Sequence, residues 1–137
     1  MQSKIDLEII KDTIKKEKDG LSALLNSLDS SVTKSLELLY NNTGRIIVVG
    51  IGKSGHIGRK IAATFASTGS PSHYINCAEA NHGDLGMIKN NDIILALSKS
   101  GETSEMVNII NFTKKCFILL GGVLVSQHHR TYKRSIG

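Results

Sequence analysis

The stretch RIIVVGIG, starting at Arg45, constrains this chain more than any other. It is a continuous run of largely β-branched apolar residues. A strand with one wet face alternates apolar and polar side chains. An unbroken run of strand length instead fits a strand buried on both faces of a parallel sheet. A second buried run, IILALS, begins at Ile93 with Asp92 just before it. Between the two, KSGHIGRKIAATFAST reads as a helix with Ile57, Ile61 and Phe65 on one side, and GSP breaks it. SHYIN reads as a short strand, and CAEANHGDLGMIKNND as mostly loop with one helical turn. GETSEMVNIINFTKK reads as a further helix, and CFILLGGVLV contains a third apolar run. Strands alternating with helices imply right-handed crossovers, so the expected fold is α/β with a doubly wound, mostly parallel sheet.

Ahead of Arg45 the periodicity is helical. Leu21, Leu24, Leu25 and Leu28 recur at i, i+3, i+4 and i+7, which is an apolar stripe. Val32, Leu36, Leu39 and Tyr40 repeat it after LDSS, where Asp29 or Ser30 is placed to cap a second helix. NNTG ends the pattern. Residues 1–43 are therefore expected to form a helical hairpin that packs, or that contacts another subunit.

The bulk chemistry excludes several function classes. The net charge is +5, which raises the question of nucleic acid. Residues 1–105, however, hold 12 Lys+Arg against 12 Asp+Glu, and the excess comes from Lys114, Lys115, Arg130, Lys133 and Arg134. With aromatic residues at 4% there are few platforms for stacking bases. No nucleic-acid partner is expected. No apolar stretch has the length of a membrane span, and the N-terminus lacks the apolar core of a signal peptide. Cys77 and Cys116 have no metal-like spacing and are too few for a disulfide scaffold, so a reduced, cytoplasmic setting is the default.

Two small-residue turns follow the buried runs. In GIGKSG, Gly50, Gly52 and Gly55 satisfy G-x-G-x-x-G between strand and helix. A dinucleotide site also expects an acid closing the next strand, and SHYIN has none. A Walker-type loop expects glycine where Ile47 stands. What remains is a turn with Lys53 and Ser54 at the C-terminal edge of a buried strand, the edge where open α/β sheets bind ligands. Lys53 either faces an anion or developing oxyanion, or is solvated. In the second turn Ser98, Ser100 and Thr103 surround Gly101 at a strand-to-helix junction. Such a junction suits an anion, but the same residues also make an ordinary capping box. Glu105 either reaches back to this cleft or offsets the helix dipole. Between the turns, EANHGD offers His82 with Glu79 and Asp84 for acid/base work or a metal, or as plain turn residues. His128 and His129 are adjacent, and adjacent side chains usually point apart.

Taken together, GRIIVVGIGKSGHIGRKIAATFASTGSPSHYINCAEANHGDLGMI and NNDIILALSKSGETSEMVNII resemble the sugar isomerase (SIS) domain, and more narrowly the arabinose 5-phosphate isomerases of the KpsF/GutQ type. The resemblance runs from roughly residue 1 to Ile110 and is strongest from Gly44 to Glu105. It implies interconversion of D-ribulose 5-phosphate and D-arabinose 5-phosphate through an enediolate, the first step toward the 3-deoxy-octulosonate sugar (Kdo) of lipopolysaccharide. Under it, Gly52, Ser54, Ser98, Ser100, Gly101 and Thr103 hold the substrate, chiefly its phosphate. Lys53 stabilises sugar oxygens or the enediolate, and Glu105 matches an acid/base position. His82 matches a histidine at the sugar site that also binds an inhibitory divalent metal. No cofactor is expected. Family members are tetramers sharing site residues between subunits, so a homo-oligomer is expected.

The family's domain runs on past this point through a second essential glutamate, an SST stretch and a histidine in HPGG, usually followed by a CBS pair. Residues 111–137 show none of these. The expected organisation is a helical hairpin over 1–43, a partial SIS core over 44–110 and a divergent basic tail over 111–137. The C-terminal half of the fold is then incomplete and isomerase activity low or absent. The alternative is a non-catalytic module that binds sugar phosphate.

Overall fold

The computed structural model describes residues 2–80, 82–98, 103–112 and 118–120. Two helices come first, α1 (Gln2–Ser27) and α2 (Ser30–Tyr40). Then follow β1 (Ile46–Gly50), α3 (Gly52–Ser67), β2 (Ser72–Asn76), α4 (Cys77–Ala80), a 3-10 turn (Asp84–Met87), β3 (Ile93–Leu97), α5 (Ser104–Phe112) and β4 (Ile118–Leu120). Contacts divide the chain into two units, Met1–Leu36 and Glu37–Gly137.

The four strands form one parallel sheet in the order β2-β1-β3-β4. β1 lies inside the sheet and all five of its residues are buried, as its unbroken apolar run requires. The two-residue period of a strand sorts its side chains onto two faces. Ile46 and Val48 share one face with Leu97, Ala62 and the half-buried Ile61, Phe65 and Tyr74. Ile47 and Val49 share the other with Ile75, Ile94, Ala96, Met106 and Ile109. Helix α3 therefore covers one face and α5 the other, which is the doubly wound arrangement. Each fully buried Ile or Val is worth about 1.5–3 kcal/mol of apolar transfer, so this two-sided core carries most of the unit's stability.

The face that α3 presents differs from the one its apolar stripe suggests. Gly55, Gly58 and Ala62 are the buried residues of α3, while Ile57 is 56% exposed. Residues four apart advance about 40° around a helix. The stripe Ile57–Ile61–Phe65 therefore drifts, and only its later members reach the sheet. The small residues allow closer approach, and a side chain from β2 fills the space they leave.

In the first unit, Asp29 caps α2 as its position suggested: Oδ1 accepts from the Ser31 backbone N–H at 2.8 Å. The leucine stripe of α1 is not covered. Leu21, Leu24, Leu25 and Leu28 are 52–69% exposed, and Ile5, Ile9, Ile10 and Ile14 are exposed as well.

The edge of the sheet where the strands begin is held by one ion pair. Asp92 is fully buried. Its Oδ2 accepts from Arg45 Nη2 at 2.6 Å and from the Lys89 N–H at 2.8 Å. Its Oδ1 accepts from the Arg45 N–H at 3.0 Å and from Arg45 Nε at 3.2 Å. Burial alone would push this carboxyl up. The hydrogen bonds from Arg45, then those from the Lys89 and Arg45 N–H groups, outweigh it and hold the carboxyl below its ordinary value.

Candidate functional site

The strand ends opposite that pair define the site. Gly50, the last residue of β1, lies beside Leu97, the last of β3, and beside Asn76, the last of β2. From Gly50 the chain turns onto one face through α3, and from Leu97 onto the other through α5. Adjacent parallel strands whose connections diverge leave a crevice at their C-terminal ends, the usual ligand position in an open α/β sheet. The first small-residue turn, and Ser98 of the second, follow directly from these strand ends. Their adjacency comes from strand order, since β2 is placed outside β1 and β3 inside.

The first turn is built by Ile51, extended at φ −133°, and Gly52 at φ +57°. Only glycine takes the second angle without strain. The N-cap residue Ile51 makes no side-chain cap bond to α3, so the first-turn N–H groups are left without that partner. Lys53 is exposed and Ser54 half-buried. Glycine at 55 and 58 has a different cause. A Cβ on Gly55 would run into the Tyr74 hydroxyl, and one on Gly58 would lie 3.1–3.2 Å from the Tyr74 ring and 3.3 Å from Val48. Gly55, the last glycine of the G-x-G-x-x-G run, and Gly58 beyond it thus clear an aromatic ring, a demand that involves no ribose-binding acid.

Ser98 stands half-buried directly after β3. Thr103, just before α5, has its Oγ1 buried with no hydrogen-bond partner among the described residues. Its carbonyl accepts from the Val107 N–H at 3.0 Å and so starts the helix. A buried hydroxyl left unpaired costs about 1–3 kcal/mol, and a ligand oxygen at the helix N-terminus would remove that cost. Ser100 and Gly101 lie outside the described residues.

Glu105 is half-buried in the first turn of α5, and its Oε2 accepts from Ser104 Oγ at 3.1 Å. It is close enough to Cys77 for its negative charge to act on the thiol, after burial the main influence raising it, to about 11. Helix α4 thus brings the start of the His82 loop alongside α5. His82 is exposed. Its N–H donates to the Glu79 carbonyl at 2.9 Å, and Gly83 at φ +136° turns the chain on toward Asp84. Glu79 and Asp84 are exposed. Among the described residues no group of three His, Cys, Asp or Glu is placed to share a metal ion, so His82 has no co-ligands there. Cys77 is free and buried, while Cys116, His128 and His129 lie outside the described residues.

One residue of this region was missed in the sequence. Tyr74, read only as part of a strand, donates its hydroxyl to the Gly50 carbonyl at 2.9 Å. The Arg59 guanidinium sits 4.6 Å from its ring centroid. The available signal was an aromatic residue in a short strand, after two glycines spaced i, i+3 on the preceding helix.

Comparison with known proteins agrees with this fold. Arabinose 5-phosphate isomerase KdsD of Pseudomonas aeruginosa is 50% identical over 108 residues, covering 79% of this chain and 33% of that protein. The protein RP505 of Rickettsia prowazekii is 46% identical over 127 residues, covering 93% of this chain and 40% of that one. The chain thus spans about a third to two fifths of the curated relatives it matches. Among solved structures, E. coli CFT073 c3406 in complex with arabinose 5-phosphate superposes with a TM-score of 0.76 at 37% identity, covering 82% of this chain and 61% of that one. A putative sugar-phosphate isomerase from Listeria monocytogenes superposes equally well, with a TM-score of 0.76 at 30% identity, covering 82% and 60%. The family model of the SIS domain matches residues 38–116, from the last turn of α2 past the end of α5, and the chain belongs to the SIS domain family.

Proposed function

We propose that this chain binds a pentose 5-phosphate of the ribulose 5-phosphate and arabinose 5-phosphate pair. The observation that carries the reading is the Thr103 hydroxyl, buried and unpartnered among the described residues at the N-terminus of α5, across the β1–β3 crevice from the N-terminus of α3. A phosphate supplies the acceptor oxygens and negative charge that such a place favours. The similarity to KdsD and to c3406 bound to arabinose 5-phosphate supports the choice of sugar.

In this reading Ser98, Ser100, Gly101 and Thr103, with Gly52 and Ser54 opposite, hold the phosphate. The phosphate takes no part in bond changes, but anchoring it places the reacting carbons. Lys53 faces the sugar oxygens, where its charge favours the enediolate over the neutral sugar. Glu105 is the candidate to take the proton next to the carbonyl and return it to the neighbouring carbon. His82 lies at the sugar end. The isomerisation is redox-neutral and needs no cofactor. Residues 111–137 carry no glutamate, SST or HPGG, so these 137 residues alone are expected to bind better than they turn over. The exposed apolar residues of α1 support a homo-oligomer. Among the described residues no helix is long and apolar enough to cross a membrane. A cytoplasmic place in Kdo synthesis goes with the arabinose 5-phosphate isomerase reading.

Calorimetry with arabinose 5-phosphate tests the reading. Binding is expected, weakened about tenfold or more in Thr103→Val, the loss of a hydrogen bond to a charged group. No heat with the wild-type chain overturns the assignment. In a parallel assay, conversion of ribulose 5-phosphate at a rate typical of enzymes would overturn the expectation of low turnover.

A further inference from the structure

We propose that Tyr74 is a positioning residue for this site: its hydroxyl, bound to the Gly50 carbonyl, fixes the turn that carries Lys53 and Ser54. The proposal rests on the sugar-phosphate reading for its ligand, but the bond itself does not.

Gly50 carries the last carbonyl of β1, at the rim of the crevice. Tyr74 is two residues short of the end of β2 and pairs with Val48. Its side chain therefore runs along the sheet to reach that carbonyl at 2.9 Å. Beyond Gly50 the described residues give the chain few other side-chain anchors. Gly52 takes a left-handed φ of +57°, the N-cap residue Ile51 makes no side-chain cap bond, and the first backbone bond of the helix, Gly55 N–H to the Ile51 carbonyl, is long at 3.3 Å.

The ring itself is tightly held. The missing side chains of Gly55 and Gly58 make the space it occupies, and Arg59 covers it at 4.6 Å. A phenol held in this way can transmit position: it connects the end of β1, the first two turns of α3 and the neighbouring strand. Lys53 and Ser54 sit in the segment it pins. The α5 turn, with Ser98 and Thr103, leaves the sheet on the other face and does not depend on it.

Tyr74→Phe keeps the ring and its stacking under the Arg59 guanidinium and removes the hydroxyl, with its bond to the Gly50 carbonyl and its weaker interaction with Arg59. Two measurements on the full chain test the proposal. In hydrogen–deuterium exchange, amides of Gly55 to Ile57 are expected to exchange about fivefold faster, the worth of one net hydrogen bond, with Phe65 to Ser67 unchanged. In calorimetry, arabinose 5-phosphate affinity is expected to fall about fivefold while inorganic phosphate affinity changes less than about twofold. The free anion, held by the α5 turn as well as by Gly52 and Ser54, can shift onto the α5 turn, whereas the sugar phosphate is also fixed against Lys53. Faster exchange along all of α3, or equal losses for both ligands, would mean a merely structural tyrosine and overturns the proposal. Unchanged exchange at Gly55 to Ile57 overturns it too. If the wild-type chain binds neither ligand, the sugar-phosphate reading fails, and the exchange experiment still decides whether Tyr74 fixes the turn.

Discussion

Replacing Asp92 by Asn changes one atom in a buried carboxylate and should destabilise the sheet without touching the site. The side chain is 1% exposed and accepts four hydrogen bonds, two at each oxygen. An amide presents one NH2 in place of an oxygen. Whichever way it turns, it sets a donor against two donors, either the N–H and Nε of Arg45 or Arg45 Nη2 and the Lys89 N–H. Arg45 then keeps the Met87 carbonyl, at 2.6 Å from Nη2, but has lost its counter-charge. Breaking a buried pair by removing one partner costs about 3–5 kcal/mol. The Arg45 side chain is 31% exposed, so water offsets part of this, and a loss of about 3 kcal/mol is expected, the low end of that range. For a chain of this size that lowers Tm by roughly 10 °C.

Urea unfolding at several pH values is the assay. Asp92 titrates below its unfolded value in the folded chain. Its contribution is therefore present above about pH 4, the unfolded value, and is lost as pH falls through the lower folded value. Wild-type stability should fall more steeply than that of Asp92→Asn below about pH 4. The double variant Arg45→Met with Asp92→Leu should not recover the loss, since Leu leaves the Arg45 and Lys89 N–H groups, and Met the Met87 carbonyl, without these partners. A loss below about 1 kcal/mol or identical slopes for wild type and Asp92→Asn in acid would refute the reasoning. Arabinose 5-phosphate affinity of the folded variant should stay within twofold or so, because Asp92 is at the opposite edge from the crevice.

Three further outcomes follow from the same contacts. Cys77, pushed up to about 11 by burial, should resist iodoacetamide at pH 8 in a Cys116→Ser background until urea unfolds the chain; rapid labelling of folded protein contradicts this. An unfolded thiol titrates near pH 8.5 or so, so Cys77 favours the fold below that pH and stops doing so as pH rises toward 11; Cys77→Ala should flatten the alkaline loss in urea titrations. Gly58→Ala should destabilise by about 1 kcal/mol, because overlap with the pinned Tyr74 ring outweighs the better helix propensity of alanine. In a Tyr74→Ala background the same change should stabilise by up to about 1 kcal/mol, and a common sign in both backgrounds rules the explanation out.

The unbroken apolar runs made β1 and β3 readable, because burial on both faces leaves no room for a polar residue. The turn signals around SHYIN delimited β2 for the same kind of local reason. The contacts that tie the elements together are not local in this sense. Arg45 and Asp92 are 47 residues apart, and neither has a sequence neighbour that predicts the other. The leucine stripe of α1 was legible as a pattern, but a stripe does not name its cover, and within this chain the leucines are exposed. Ile57 failed as a core position because apolar periodicity weighs large residues, while α3 docks through glycine and alanine. Glycine spacing has the same limit at Gly55 and Gly58. A missing Cβ is what the sequence reports, and two physical demands produce it: a backbone that must approach a phosphate, and a helix that must clear a ring. Gly52, with its left-handed φ and open surroundings, fits the first demand; Gly55 and Gly58, against Tyr74, meet the second. One motif thus divides between the ligand and the side chain that holds the ligand's turn in place.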